Sequence, residues 1–383
     1  MSSKTQPTKN RITGIDALRG FALFGILIVN IFVFNAPYGH YGTFYLAFDE
    51  VQVGVVLHMF FFFAGRFMFI FAFLFGYGCC MQYEKYTDHY AFRKFWWRRM
   101  FWLAIFGVVH ILLFSYGDIL LPYALLGMTL PFVLRLRNRT LIVLFLIVYL
   151  IPVYEFVLRQ HFNFPSIFTE PVYELEKEIS IGAEGSFWEL FQLRLKQYLA
   201  LQSEKVIMYI PKEWSLFIIG VIASRYKLAT ELSKRKAVVF CIIASVIVFC
   251  NYLYNEELPK LFDYENSLVQ SIIYGLIVKA LNFIHGMLYI IGFWLLWRFS
   301  FFQRLFSSLK SAGRMSLTIY IMQSMICAVL FSGYGFGMYG SQTPVQLLWL
   351  ACGIFAGQLI FAELWLEWFR FGPLEWLWRR LSY

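Results

Sequence analysis

Apolar residues in this chain gather into long unbroken blocks, with neither the strict alternation of a half-buried strand nor the narrow stripe of a surface helix. Blocks of about 20 residues, the length that crosses roughly 30 Å of hydrocarbon at about 1.5 Å per residue, recur from end to end between charged or Gly/Pro-containing breaks. They predict spans at 15–34, 55–80, 99–116, 119–134, 140–158, 206–224, 237–254, 268–297, 315–333 and 346–367. The expected fold is all-α, a polytopic membrane bundle of about ten transmembrane helices. Residues 159–205 break the rhythm: they are polar and acidic at first, then amphipathic, with Phe187, Phe191, Leu195 and Tyr198 at helical spacing. This predicts an extracytoplasmic interfacial helix, packed on the bundle or lying over a substrate as a lid. It separates a first five-helix half (15–158) from a second half with its tail (206–383).

Composition places the chain in a lipid bilayer: 60% of residues are hydrophobic, 21% aromatic and only 15% charged. Charge then orients the spans. Lys4, Lys9 and Arg11, the Arg93–Arg99 cluster, Arg135 to Arg139, Lys234 to Lys236, Arg304 to Arg314, and Arg379 with Arg380 fall in alternate loops. The loops between them carry Asp49, Glu50, Glu170 to Glu189, Glu256, Glu257, Asp263 and Glu265. The positive-inside rule makes the basic loops cytoplasmic, and with them both the segment 1–14 and the C-terminal tail. That rule accounts for the net charge of +10, so nucleic acid is not an expected partner. The six cysteines lie in apolar runs without a disulfide framework or metal-ligand spacing, and no metal is expected. No cleavable signal peptide is expected, because the first run has no small-residue cleavage site before Asn35.

Ionisable residues inside the blocks carry the candidate chemistry. An Asp in mid-span costs about 2.5–3.5 kcal/mol on insertion scales, so such a group by default faces a protein-lined or watery cavity. Between Gly107 and Gly127, GVVHILLFSYGDILLPYALLG sets His110 and Asp118 in two apolar runs joined at Ser115-Tyr116-Gly117. Imidazole titrates near neutrality and suits proton transfer with a hydroxyl or amine; a neutral histidine bonded to a neighbouring carbonyl is the structural alternative. Asp118 follows the Gly117 break and is placed to cap the next helix, a role compatible with catalysis. On a simple hairpin the stretch from His110 to Gly117 spans about 10 Å, so a water, a substrate or an irregular helix must join the two.

Asp16, Arg19 and Asn30 form a narrow polar stripe along the first span, from the angular arithmetic of a helix. A dipole-facing Asp and a snorkelling Arg fit the first two equally well. Arg66, in FFFAGRFMFIFAFLFGYG, needs an anionic partner: Asp16, Asp118, or a bound phosphate or carboxylate. Lys279 and His285 pose the same question in a 30-residue run where a break could hide. In GRMSLTIYIMQS, Ser316, Tyr320, Gln323 and Ser324 recur on one face, as helix–helix glue or as part of a site.

Taken as a set, RITGIDALRGFALFGILIVN, GRFMFIFAFLFGYG, RRMFWLAIFGVVHILLFSYGDILLPYALLG, GRMSLTIYIMQS and WLEWFRFGPLEWLWR resemble the motifs of the YeiB-like family of bacterial membrane proteins. That family is grouped with the heparan-alpha-glucosaminide N-acetyltransferase among transmembrane acyltransferases. The resemblance implies that Asp16, Arg19 and Asn30 lie on the first-span signature, Arg66 on a usually basic position, and His110 and Asp118 on the histidine and aspartate of the third and fourth spans. In the N-acetyltransferase branch the catalytic histidine follows the first span, which makes His40 a rival to His110.

The expectation is a bacterial cell-membrane enzyme that passes an acyl group from cytosolic acetyl-CoA or another acyl-CoA to an extracytoplasmic acceptor, such as a glycan hydroxyl or amine. His110 would be the base, and Asp118, Asn30 and Arg66 would assist. Asp16, Arg19, Arg98, Arg99, Lys279, Ser316, Tyr320 and Gln323 are expected on the binding surfaces. A homo-oligomer is left open. The alternative is a proton- or anion-coupled transporter that uses the same buried polar residues.

Overall fold

The computed structural model describes residues 13–162, 173–204, 209–254, 257–262 and 267–383. Lys4, Lys9, Arg11, Glu170, Glu256, Asp263 and Glu265 lie outside the described residues. In chain order the helices are α1 (Thr13–Asn35), α2 (Tyr41–Leu46), α3 (Glu50–Phe62), α4 (Arg66–Tyr83), α5 (His89–Leu113), α6 (Leu120–Gly127) and α7 (Leu130–Val133). Then come α8 (Asn138–Phe162), α9 (Leu175–Glu184), α10 (Phe187–Glu204), α11 (Ile210–Arg225), α12 (Leu228–Glu231) and α13 (Lys234–Leu253). The series ends with α14 (Leu268–Trp297), α15 (Ser300–Leu305), α16 (Ser307–Arg314), α17 (Ser316–Phe331), α18 (Pro344–Trp368) and α19 (Pro373–Ser382). There is no strand among the described residues.

The chain is an all-helical membrane protein. Six stretches are long and apolar enough to cross a bilayer, or seven if α16 and α17, bent by 87°, count as one broken span. The remaining predicted spans are also helical: α6 and α7 are separate short pieces, α8 is one 25-residue helix with Pro152 inside it, and α11 has 16 residues. The 30-residue run that could have hidden a break is instead one continuous helix, α14. The real break lies elsewhere, at Phe63–Gly65 between α3 and α4, where Gly65 takes φ +74.

Without a hydrophobic force between helices in lipid, close backbone packing has to supply the cohesion, and small residues permit it. Gly76 and Gly220 do so reciprocally: a methyl at either would fall within about 2 Å of the other helix, at Phe217 O or Phe73 O, so α4 and α11 touch backbone to backbone. Gly20 and Gly313 play the same part between α1 and α16, where a Cβ on Gly313 would stand 1.7 Å from the Asp16 carbonyl.

The two ends of the bundle differ in chemistry. At one end arginines satisfy the orphan carbonyls of helix termini: Arg225 donates to Leu134 O and Leu136 O at 2.6 and 2.7 Å, and Arg98 to Tyr383 O at 3.1 Å. At that end Glu375 of α19 caps α17, accepting from Leu317 N (2.6 Å) and Thr318 N (3.1 Å). The opposite end is roofed by α9 and α10. The helix predicted at 187–204 is there, but it packs by another face than the spacing of Phe187, Phe191, Leu195 and Tyr198 indicates. Leu190, Leu193, Arg194 and Gln197 are buried against the bundle, while Phe187, Trp188, Leu195 and Leu199 are exposed. The reason is the polar bonding available below: Arg194 and Gln197 find partners in the bundle, at Leu113 O and Glu178 Oε1, and Leu190 and Leu193 pack beside them.

Candidate functional site

After α5 the chain does not form a simple hairpin. Phe114 N and Ser115 N both bond to the His110 carbonyl, at 2.9 and 3.2 Å, and Ser115 Oγ accepts from Gly117 N at 3.1 Å. The segment 114–119 thereby doubles back, and Asp118 Oδ1 comes to 2.9 Å from His110 Nδ1. The irregular connection replaces the roughly 10 Å separation of a straight helix with direct contact. The approach is bent rather than aligned as a hydrogen bond. The other Asp118 oxygen, Oδ2, accepts from Leu121 N at 2.7 Å, so one carboxylate caps a helix and faces the imidazole at once.

The far nitrogen of the ring, His110 Nε2, lies 2.8 Å from Ser324 Oγ on α17. His110, Asp118 and Ser324 are only 1%, 2% and 2% exposed. A carboxylate beside Nδ1 favours a proton there, which leaves Nε2 as the lone pair facing Ser324, whose hydroxyl also reaches the Tyr320 carbonyl at 3.4 Å. That is the order of groups in a Ser-His-Asp relay. Tyr320, one turn before Ser324, lays its ring over His110 with centroids 5.1 Å apart. Gln323 has a different task, bridging helices through Leu23 O (3.3 Å) and Gln358 Oε1 (3.1 Å). Ser324 was visible in the sequence only as one member of this polar face. A groove of about 680 Å³ lined by Ile326, Leu330, Trp349 and Ile354 opens on the other side of α17, about 200° around the helix from Ser324.

The roof over this group is polar. Arg194 donates to Leu113 O at the end of α5 (2.7 Å), to Ser332 Oγ (2.9 Å) and to the Tyr334 hydroxyl (3.0 Å). The fully buried Glu178 accepts from Tyr38 N at 2.6 Å, Gln197 Nε2 at 2.7 Å and the Tyr339 hydroxyl at 3.3 Å. Burial pushes its carboxyl above the ordinary value of 4.5 despite those bonds. Tyr41 and Tyr116 join through their hydroxyls beneath it. His40 is part of this roof, its Nε2 bonded to Tyr173 O at 3.0 Å, and it does not meet His110.

The other predicted residues fall in separate places. Asp16 and Arg19 pair at 3.4 Å near the basic end, and a Cβ on Gly78 would stand 3.0 Å from Arg19 Nη2. Arg99 bonds to Gln82 Oε1 at 3.0 Å and stacks on Trp378 at 3.9 Å, while Arg98 holds the C-terminal residues. Ser316 begins α17 at that end, eight residues and about 12 Å from Ser324. Asn30 is half-buried, and its side chain makes no hydrogen bond to the described residues. Arg66 meets neither aspartate; it donates from Nε to His285 Nδ1 (3.1 Å) and from Nη1 to Asn282 Oδ1 (2.5 Å). Lys279 stands 5.8 Å from the centre of the Tyr149 ring, on the Asn282 side of α14. Among the described residues no group of three or more His, Cys, Asp or Glu is placed to hold a metal ion.

Comparison with known proteins gives a consistent placement. A family described as "Protein of unknown function (DUF418)" matches residues 223–383. The chain is 27% identical over 407 residues to "Uncharacterized protein YxaH" of Bacillus subtilis (strain 168), covering 100% of this chain and 97% of that protein. It is 30% identical over 392 residues to "Uncharacterized 39.9 kDa protein in amylase 3'region" of Bacillus acidopullulyticus, covering 97% and 94% of the two chains. It is 26% identical over 405 residues to "Uncharacterized protein YeiB" of Escherichia coli (strain K12), covering 96% and 95%. No solved structure matches the chain. With the motifs carried on α1, α4, α5 and α17, these end-to-end similarities mean that the chain belongs to the YeiB-like family of bacterial membrane proteins.

Proposed function

We propose that this protein is an acyltransferase of the bacterial cell membrane. It moves an acyl group, acetyl in the simplest case, from cytosolic acyl-CoA to an extracytoplasmic hydroxyl or amine acceptor such as a glycan. The single observation that supports this reading is the line Asp118–His110–Ser324, buried where helices α5 and α17 meet. A serine hydroxyl poised on an imidazole, itself faced by a carboxylate, is the arrangement that activates a nucleophile for attack on an acyl carbon.

The steps follow from the order of the groups. Ser324 Oγ attacks the thioester carbonyl as its proton passes to His110 Nε2; the C–S bond breaks, and His110 returns the proton to the departing thiolate. The acyl ester on Ser324 is then attacked by the acceptor hydroxyl or amine, whose proton passes through His110 to the departing Ser324 oxygen. Asp118 keeps the imidazole in the receiving tautomer and stabilises it while it carries the extra proton. The basic end faces the cytosol by the positive-inside rule, and Arg19 and Arg99 offer cationic contacts there for an anionic nucleotide. The acceptor enters from the roofed side, which requires the Arg194 contacts to open.

Purified protein given acyl-labelled acetyl-CoA and an envelope extract tests this. Thiol release and label on Ser324, found by peptide mass spectrometry, are expected in the wild type. His110→Ala should lose both, and Ser324→Ala should lose the labelled peptide. If no acyl-CoA yields thiol with any envelope fraction and no label reaches Ser324, the proposal fails.

A further inference from the structure

The surroundings of Arg66 carry a second site, independent of the Ser324–His110 chemistry. A guanidinium has five N–H donors, and the described contacts of Arg66 use two of them. Both partners are neutral. Because His285 Nδ1 accepts from Arg66, the ring proton sits on Nε2, which faces the Tyr289 hydroxyl at 3.2 Å; that hydroxyl donates to Phe62 O at 2.9 Å. This chain of neutral groups, ending on the last carbonyl of α3, fixes the guanidinium in direction without compensating its charge.

A further cation lies at the break: the Lys212 ammonium is 3.4 Å from where a Cβ on Gly65 would stand. Helix α4 starts at Arg66 with no side-chain cap, so its positive dipole end faces the break. The carboxylate next to Lys212, Glu213, is turned to the Tyr123 hydroxyl at 2.9 Å. Depth follows from helix rise: Arg66 is about 27 Å from the basic end along α4, and Lys212 about 20 Å along α11. In a core of about 30 Å the figure for Arg66 falls near the boundary of the far leaflet, with Lys212 reaching towards it from deeper on α11.

We propose that the Gly65 break is a binding site for a phosphate-type oxyanion at the outer membrane boundary, gripped by the spare N–H groups of Arg66, with Lys212 beside the break. A rigid planar fork near a point charge suits a phosphate group, whether free or in a lipid headgroup. The test uses full-length protein, with inorganic phosphate titrated in detergent and with nanodiscs of phosphatidylglycerol or phosphatidylcholine analysed by native mass spectrometry. Saturable phosphate binding, weakened about ten- to hundredfold by Arg66→Gln, supports a soluble ligand. Retention of phosphatidylglycerol over phosphatidylcholine, lost in the same variant, supports a headgroup. Lys212→Gln breaks no described hydrogen bond and keeps the test valid if Arg66→Gln fails to fold. If neither probe binds the wild type saturably, or no folded variant of the two differs from wild type towards either probe, the site is refuted.

Discussion

Asp118 does two jobs with two oxygens, and substitution can separate them. Asp118→Ala removes the cap on Leu121 N, worth about 1 kcal/mol, and strands a buried His110 N–H, worth about 1–3 kcal/mol. It should destabilise the protein by about 2–4 kcal/mol. Asp118→Asn is nearly isosteric. Its amide oxygen can keep the Leu121 bond, which turns the amide NH₂ towards His110 Nδ1. Two N–H groups cannot face each other, so the imidazole must move its proton to Nε2, where it can no longer accept from Ser324. The stability cost should stay near 1 kcal/mol, while a wrong tautomer costs about 10⁴ in rate in a Ser-His-Asp relay. That rate loss is about 5.5 kcal/mol of barrier and so cannot be a by-product of the small loss of stability. Melting of the purified variants, thiol release from acyl-CoA, and ¹⁵N-histidine spectra assigned by difference with His110→Gln measure the three quantities. If Asp118→Asn keeps the Nδ1–H tautomer, or turns over at the wild-type rate, the relay described here is wrong.

Two further outcomes follow from the packing. Gly313→Ala places a methyl against the Asp16 carbonyl and should lower thermal stability by about 1–3 kcal/mol or more; an unchanged melting temperature would show that α1 and α16 are not in backbone contact. Glu178 holds its proton more tightly in the closed roof than in an opened one, because burial raises its carboxyl above 4.5. Roof stability should therefore fall as pH rises through the window above 4.5, with more bound protons on the folded side of the linkage relation. Hydrogen exchange of residues 175–184 should speed up with pH beyond its intrinsic trend in the wild type and lose that excess in Glu178→Gln.

Long apolar blocks made the membrane class and most helices legible, since a 20-residue run has few other uses. What the pattern could not show was where a run stops being a helix. FFFAGRFMFIF is equally apolar on both sides of Gly65, yet the chain breaks there because Gly65 takes a left-handed conformation. Conversely, the Lys279–His285 stretch contains polar groups and stays helical, because Asn282 and His285 find a partner in Arg66 on another helix. Of the polar stripe along α1, Asp16 and Arg19 meet each other. An azimuth does not say what stands opposite, and no described residue bonds to the Asn30 side chain.

The candidate site shows the same limit more sharply. His110 and Asp118 stood out because charge in hydrocarbon is costly, but their contact depends on three bonds in 114–119 that fold the chain onto its own helix end. Ser324 stands 214 residues from His110, and nothing in GRMSLTIYIMQS distinguishes it from Ser316 except which end of α17 faces α5. Tyr320 and Gln323 then sort by the same geometry: one turn places Tyr320 over the imidazole, while the neighbouring azimuth sends Gln323 to α1 and α18. One face of α17 therefore holds both a helix clamp and the hydroxyl of the proposed relay. For that reason Ser324→Ala is the sharper probe of chemistry: it removes the oxygen facing His110 while leaving the Gln323 bridge in place.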